Sequence, residues 1–315
     1  MTDLQEFRPE APVSESPAVA VMSPHLPGAD ASSPHASVSA ASRSKSSTAV
    51  PRAPDIADPG RLADVSPDIM TLHTREAWQL FMGRRADPAR RSAPIPGGRR
   101  FAAAMKVLWL LSANDNPYAD WTLQRSYERL SSVRVRLDRA IAIREAEIQG
   151  LVAAGLSLSV MASSEPMRVE VGFRSPYGYA AAETILAFDR YVRFVRTLVH
   201  KDRLGENEGR AAIREIGRDL RSLFLEPIRW ERHLVSDRLR ALSRRDYLPG
   251  ADAAARDRVH VVVDLFGEVP RAIFTGAVQP RHTRRRIKVS DAERRLLQHV
   301  DLRAPDHTES RGGAA

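Results

Sequence analysis

The chain has 315 residues and a formal net charge of +9, and only four of its 48 basic residues are lysines. It contains no cysteine, which excludes disulfides, thiolate metal sites and a cysteine nucleophile and fits a reducing compartment. Since no apolar run approaches the ~20 residues needed to span a bilayer and the acidic N-terminus is unlike a signal peptide, we expect a cytoplasmic protein without membrane contact.

Residues 1–66 differ in composition from the remainder of the chain. Ala, Ser and Pro dominate this segment, and its five basic and eight acidic residues give a balance of −3, which leaves +12 on the other residues. The segment offers too little apolar surface to offset the entropy of ordering, so we predict a disordered tail over 1–66. A mostly helical domain is predicted over 67–280, and a basic tail with a short helix over 281–315.

Three helices are predicted in the first half of this domain. Thr74 is placed to cap the first helix, and a second helix with an apolar face is expected over 101–112. Asn116 and Pro117 form an N-cap and first helical position for a long helix that continues to about Ala154. Its apolar residues recur every three, four or seven positions, which fits either a dimerising coiled-coil arm or a helix packed across its own domain.

Residues 167–174 alternate apolar with charged or small side chains, which predicts a strand with two different faces. The two faces are Met167, Val169, Val171 and Phe173 on one side, and Arg168, Glu170, Gly172 and Arg174 on the other. One interpretation is an ordinary half-exposed strand, either alone or in a hairpin with residues 156–161. The other is a DNA-reading strand, because arginine can hydrogen-bond guanine edges in the major groove.

Two long amphipathic helices are predicted directly after this strand, giving a strand-helix-helix unit over 167–226. The first begins at Ser175-Pro176, and the second is capped by Asn207 and interrupted by Pro227. In ribbon-helix-helix proteins, one strand from each of two subunits pairs into a ribbon that lies in the major groove. On this interpretation the protein is a homodimer, with Arg168, Glu170 and Arg174 facing bases or flanking phosphates. The backbone amides near Asn207, together with Arg210, would hold a phosphate.

A dense basic run follows the predicted domain. It consists of Arg281, Arg284, Arg285, Arg286 and Lys288. The run fits either a polyanion contact or a solvated linker. Ser290 and Glu293 have the spacing of a capping box and predict one last short helix.

Signals for catalysis are weak in this sequence. Neither a zinc-binding HExxH, a nucleophile elbow nor a Walker loop occurs, so we expect no cofactor, no metal and no enzymatic activity. Asp115 and Asp120 bracket the start of the long helix, where carboxylates stabilise the helix dipole. The alternative is that these two carboxylates bind Mg²⁺ or act as acid and base in DNA processing.

Several phrases in the right order resemble one known family. They are Leu72-His73-Thr74, Leu80-Phe81-Met82-Gly83-Arg84, Asp115-Asn116-Pro117-Tyr118-Ala119-Asp120-Trp121, Ser175-Pro176-Tyr177-Gly178-Tyr179 and Gly267-Glu268-Val269-Pro270. Over about residues 69–286 the chain resembles the AcaB-like family, encoded on integrative and conjugative elements and related plasmids. The resemblance implies a ribbon-helix-helix fold and a regulator of transfer genes.

Together these observations predict an α+β, predominantly helical protein with a ribbon-helix-helix-like core and added helices. We predict a dimeric regulator that binds double-stranded DNA and controls conjugative transfer genes on a mobile element. The alternative is an accessory component of the transfer machinery, which would contact other element-encoded proteins through the long helix and the N-terminal tail.

Overall fold

The computed structural model describes residues 66–86, 93–283 and 290–303, which form a predominantly helical fold with one small antiparallel sheet. Over these ranges the elements are β1 (Ile69–Leu72), α1 (Arg75–Met82), α2 (Gly98–Ala113), α3 (Pro117–Ala153), β2 (Met167–Glu170), α4 (Pro176–His200), α5 (Glu206–Leu234), α6 (Ala253–Phe266), α7 (Arg271–Phe274) and α8 (Asp291–His299). A 3-10 turn at Arg244–Tyr247 joins α5 to α6. None of the described helices combines the length and apolar character that a bilayer crossing requires.

The core lies between α2, α3, α4 and α5, which all contact one another. The face of α3 that carries the repeated apolar residues is buried against the other three helices. Its buried apolar side chains beyond the first two turns are Leu130, Val133, Leu137, Ile141 and Ile148. Since burying one such side chain contributes about 1.5–3 kcal/mol, this face favours packing inside the domain. The long helix therefore crosses its own domain, and the interpretation as a projecting coiled-coil arm is wrong.

The buried carboxylate of Asp189 on α4 holds the junction between β1 and α1. One of its oxygens, Oδ1, accepts hydrogen bonds from the backbone nitrogens of His73 and Thr74 at 3.1 and 2.8 Å and from the Thr74 hydroxyl at 2.7 Å. The Thr74 hydroxyl oxygen in turn accepts from the Ala77 nitrogen, as the predicted cap requires. A residue more than a hundred positions away thus orients both β1 and α1 on α4.

Helix α5 is longer than the sequence predicts at both ends. Its N-cap is Gly205, so Asn207 lies within the first turn instead of capping the helix. Pro227 is buried inside α5 and the helix continues to Leu234, which corrects the predicted interruption. A proline in a helix interior costs about 3 kcal/mol. The buried neighbours Phe224 and Trp230 on either side supply packing that outweighs this cost.

The sheet consists of β1 and β2 of the same chain, paired antiparallel with Ile69 opposite Glu170 and Leu72 opposite Met167. We call this pair the ribbon. The predicted hairpin between 156–161 and 167–173 does not form, and β2 ends at Glu170. Instead, the Met161 backbone is hydrogen-bonded to α4, its nitrogen donating to Thr197 Oγ1 at 2.9 Å.

The ribbon therefore needs no second subunit to supply its other strand. One edge of β2 is occupied by β1, so the predicted pairing between two copies of β2 would have to use the other edge.

Helix α8 begins with the predicted capping box. In it the Ser290 hydroxyl accepts from the Glu293 nitrogen, and the Glu293 carboxylate accepts from the Ser290 nitrogen.

Candidate nucleic-acid interface

One face of the ribbon is buried along β1, and the opposite face is turned toward solvent. Met70 and Leu72 point into the core and are 2% and 1% exposed. Strand alternation and the β1–β2 register place four side chains on the opposite face: Ile69, Thr71, Arg168 and Glu170. Arg168 and Glu170 are both exposed, and Arg168 makes no ion pair within the described residues. A two-stranded ribbon is one of the elements that the DNA major groove admits.

Arg174 is exposed but is not on the strand. The ladder stops after Glu170, and Val171 turns inward, being 7% exposed, with its nitrogen donating to the Asp68 carbonyl at 2.9 Å. The Phe173 ring packs against Gly178, where a Cβ would lie 2.6 Å from the ring. Arg174 therefore projects from the loop before α4, and the predicted shared face of Arg168, Glu170 and Arg174 is only partly formed.

Asn207 lies in the first turn of α5 and Arg210 at the start of the second, at the other end of α4 from Arg174. Helix α4 has 25 residues, so its ends are about 37 Å apart. The Arg210 guanidinium is engaged locally, 2.9 Å from Asn207 Oδ1 and 3.3 Å from Glu206 Oε1. A compact ribbon-helix-helix unit would place the α5 N-terminus next to Arg174. In this structure the two lie at opposite ends of α4.

Arg281 lies near the start of α4. Its guanidinium carbon is 5.2 Å from the centre of the Tyr127 ring, and the hydroxyl of Tyr177 donates to the His282 carbonyl at 3.0 Å. Tyr177 is in the first turn of α4, so Arg281 lies at the same end of this helix as Arg174. The other predicted contacts of the basic run, Arg284, Arg285, Arg286 and Lys288, lie outside the described residues.

A cleft beside the ribbon brings together cations that the sequence analysis did not connect. We call it the ribbon cleft; it has a volume of about 480 Å³. Its lining residues are Trp78, Phe81, Met82, Arg99, Ala102, Ala103, Lys106 and 169–174. Arg99 and Lys106 lie two turns apart on α2, about 10 Å along its axis, and neither makes an ion pair within the described ranges. Among the described residues of this lining, Glu170 is the one acid.

A second basic cleft adjoins the first, and Met82 lines both. We call it the α5 cleft; its volume is about 620 Å³. Its lining residues are Met82, Arg84, Arg85, 94–97, Arg100, Leu225, Ile228, Arg229 and Arg232. The sequence signals that could have indicated it are the pairs Arg84-Arg85 and Arg99-Arg100 and the three-residue spacing of Arg229 and Arg232, which places them on one face of a helix.

Asp115 and Asp120 are buried and bind Arg244, which the sequence analysis did not single out. Arg244 is 2% exposed; its Nη1 lies 2.7 Å from Asp115 Oδ1 and its Nη2 lies 2.7 Å from Asp120 Oδ2. Arg244 Nε and Nη2 also donate to the carbonyls of Phe274 and Ile273 at 2.6 and 2.8 Å. The two carboxylates therefore join the start of α3 to the 3-10 turn and α7, and both are oriented toward a guanidinium.

A family model of the transcriptional regulator AcaB matches residues 58–286. The chain belongs to the AcaB family of transcriptional regulators. The AcaB match includes the ribbon, both clefts, Arg244 and Arg281, so these features all lie within the family's domain. A crystal structure of selenomethionine-containing AcaB from uropathogenic E. coli is similar to 56% of this chain and 85% of that chain, with 14% identity and a TM-score of 0.43. A comparison with curated protein sequences found no match.

Proposed function

We propose that this AcaB family member is a DNA-binding regulator of conjugative transfer genes on an integrative and conjugative element. In this proposal the ribbon enters the major groove, Arg168 hydrogen-bonds a base edge and Glu170 accepts from a cytosine amino group. The observation that carries the proposal is the exposed outward face of a two-stranded ribbon with an arginine that has no ion-pair partner within the described residues. The family's role in transcription regulation supports it.

Arginine is suited to this position because its planar fork can donate two hydrogen bonds to guanine, whereas lysine offers a point charge. Thr71 lies directly opposite Arg168 on β1 and adds a hydroxyl that can contact a base or a phosphate. Arg174, at the edge of the ribbon cleft, is placed to contact the flanking backbone, and Arg281 near the start of α4 adds positive charge at the same end.

The alternative of an accessory protein in the transfer machinery lacks a supporting observation. It relied on the long helix and on the N-terminal tail: the apolar face of α3 is buried in the core, and residues 1–65 of the tail lie outside the described residues. The homodimer remains a prediction. Two copies that each carry a complete ribbon would bind half-sites one helical turn or a multiple of it apart.

The first experiment maps the protein on host and element DNA in cells and then measures binding to the recovered site and to a random duplex. We expect the Arg168→Ala variant to lose about 1–3 kcal/mol on the recovered site only, roughly a 5- to 150-fold weaker Kd. Arg168→Lys should retain the affinity for random DNA but lose discrimination. Arg203→Ala, which removes an exposed arginine near the end of α4, is the control.

Two outcomes contradict the proposal. Base reading by the ribbon is wrong when both Arg168 variants discriminate between the recovered site and random DNA as well as the unmodified protein does. Regulation of transfer genes is wrong when the mapped sites lie away from promoters of the element.

A further inference from the structure

The α5 cleft is a concentration of positive charge outside the predicted DNA-reading unit. Arg84 and Arg85 follow α1, and Arg229 and Arg232 lie on α5. All four are exposed and none makes an ion pair within the described residues. The described residues that line the cleft include no Asp or Glu. An arrangement of like charges without counter-ions disfavours the folded state, so it suggests an anionic ligand.

The nearest acid on α5 is already neutralised. Glu231, between Arg229 and Arg232 in sequence, binds the Arg100 guanidinium at 2.6 Å. This ion pair joins α2 to α5, and the four other arginines of the cleft have no ion-pair partner among the described residues. The charge of the cleft is therefore a property of the tertiary structure and not of one helix.

The backbone of the cleft wall is closely held. Arg84 and Ile95 exchange two backbone hydrogen bonds of 2.8 Å each. Gly83 has a φ of +76°, and a Cβ on Gly97 would lie 2.3 Å from the Gly83 nitrogen, so the two glycines pack backbone against backbone. A wall of this kind presents Arg84 from a defined position, which reduces the ordering cost of binding.

The two clefts adjoin, because they share Met82 and because Arg99 and Arg100, which are consecutive on α2, line one cleft each. Eight cations of the described ranges line the two clefts, and one of them, Arg100, pairs with Glu231. The other seven are Arg84, Arg85, Arg99, Lys106, Arg174, Arg229 and Arg232. A small anion would neutralise only a few of them, whereas a duplex carries one phosphate charge per about 1.7 Å of its axis and offers phosphates to both clefts.

We propose that the α5 cleft binds the phosphodiester backbone of duplex DNA regardless of sequence, continuing the contact that the ribbon cleft makes beside the base-reading face. This inference rests on the proposed function for the orientation of the DNA, but it predicts binding to any duplex. The α5 cleft contributes affinity and salt dependence, whereas the ribbon contributes discrimination.

The test compares two variants of equal charge. The cleft variant carries Arg84→Ala, Arg85→Ala, Arg229→Ala and Arg232→Ala. The control carries Arg139→Ala, Arg203→Ala, Arg214→Ala and Arg256→Ala, four exposed positions that line neither cleft. The Kd for a random duplex and for the recovered site is measured between 50 and 200 mM salt, and thermal unfolding verifies that both variants are folded.

In the cleft variant we expect the slope of log K against log salt to fall by roughly three to four, about 0.9 per lost phosphate contact, equally on both duplexes. The ratio of affinities for the two duplexes should stay unchanged. A variant with only Arg229→Ala and Arg232→Ala, both exposed on α5, should lower the slope by roughly two. A cleft-variant slope equal to that of the control overturns the inference.

A third arm separates DNA from free nucleotides, which share the same phosphate chemistry. ATP is titrated into the unmodified protein and the cleft variant by calorimetry. Saturable ATP binding that the cleft variant loses, with an unchanged DNA salt slope, would assign the cleft to a nucleotide instead. The two proposals can fail separately. A reduced salt slope in the cleft variant, together with unaltered discrimination in Arg168→Ala, supports phosphate binding by the α5 cleft and contradicts base reading by the ribbon.

Discussion

The structure predicts a large loss of stability when Arg244 is replaced with methionine. The guanidinium is 2% exposed and binds the carboxylates of Asp115 and Asp120 and two backbone carbonyls of α7. Methionine fills a similar volume without donating a hydrogen bond. The variant therefore leaves two buried carboxylates without their guanidinium and two carbonyls without their donor.

The magnitude follows from these two losses. Removing one partner from a buried ion pair costs about 3–5 kcal/mol. Each of the two lost hydrogen bonds to a backbone carbonyl adds about 1 kcal/mol. We expect the free energy of unfolding to fall by roughly 5–7 kcal/mol, a large part of the 5–15 kcal/mol typical of a whole domain. At about 2–4 °C per kcal/mol for a domain of this size, Tm should fall by roughly 10–25 °C.

The assay is urea and thermal unfolding followed by circular dichroism. Arg245→Met is the matched control, since Arg245 is the next residue of the same 3-10 turn, its side chain is 62% exposed, and it lies 3.4 Å from Glu293. It should change stability by less than about 0.5 kcal/mol. Adding Asp115→Asn and Asp120→Asn to the Arg244 variant should recover part of the loss, because no buried charge then remains. If Arg244→Met lowers the free energy of unfolding by less than about 1 kcal/mol, this reasoning is refuted.

Two further predictions concern the packing around α1 and the buried tyrosines. Asp189→Ala should lower the free energy of unfolding by about 1–3 kcal/mol and increase hydrogen exchange in α1, because the β1–α1 junction loses its acceptor. The control, Asp138→Ala at an exposed site, should lower it by less than about 0.5 kcal/mol. Burial raises the pKa of Tyr118 and of Tyr177 to about 12. Since the unfolded phenol has a pKa near 10, the stability that these groups supply is complete below about pH 10 and falls as pH rises towards 12. Absorbance titration should detect their late ionisation, and Tyr118→Phe should weaken the alkaline loss of stability; unchanged alkaline unfolding in that variant contradicts the prediction.

The location of the candidate interface was only partly accessible from the sequence. The alternation at 167–174 correctly indicated a strand with Arg168 and Glu170 on one face, because strand geometry follows from neighbouring residues, but the strand ends at Glu170 and does not include Arg174. That β1 is its partner was not indicated, since pairing between Ile69 and Glu170 is a contact across about a hundred residues. The clefts were missed for the same reason: Arg84, Lys106 and Arg229 come from three separate stretches of chain.

The sequence alone determined two of the helix caps and the apolar faces, and with them a mostly helical protein. Thr74 and Asn116 cap their helices as predicted, because a cap depends on residues two or three positions away. Tertiary structure decided that Pro227 stays within a helix, that Asp115 and Asp120 bind Arg244, and that Glu231 is neutralised by Arg100. Those outcomes depend on packing and charge contributed by distant segments, and local propensity contains no information about which segments meet.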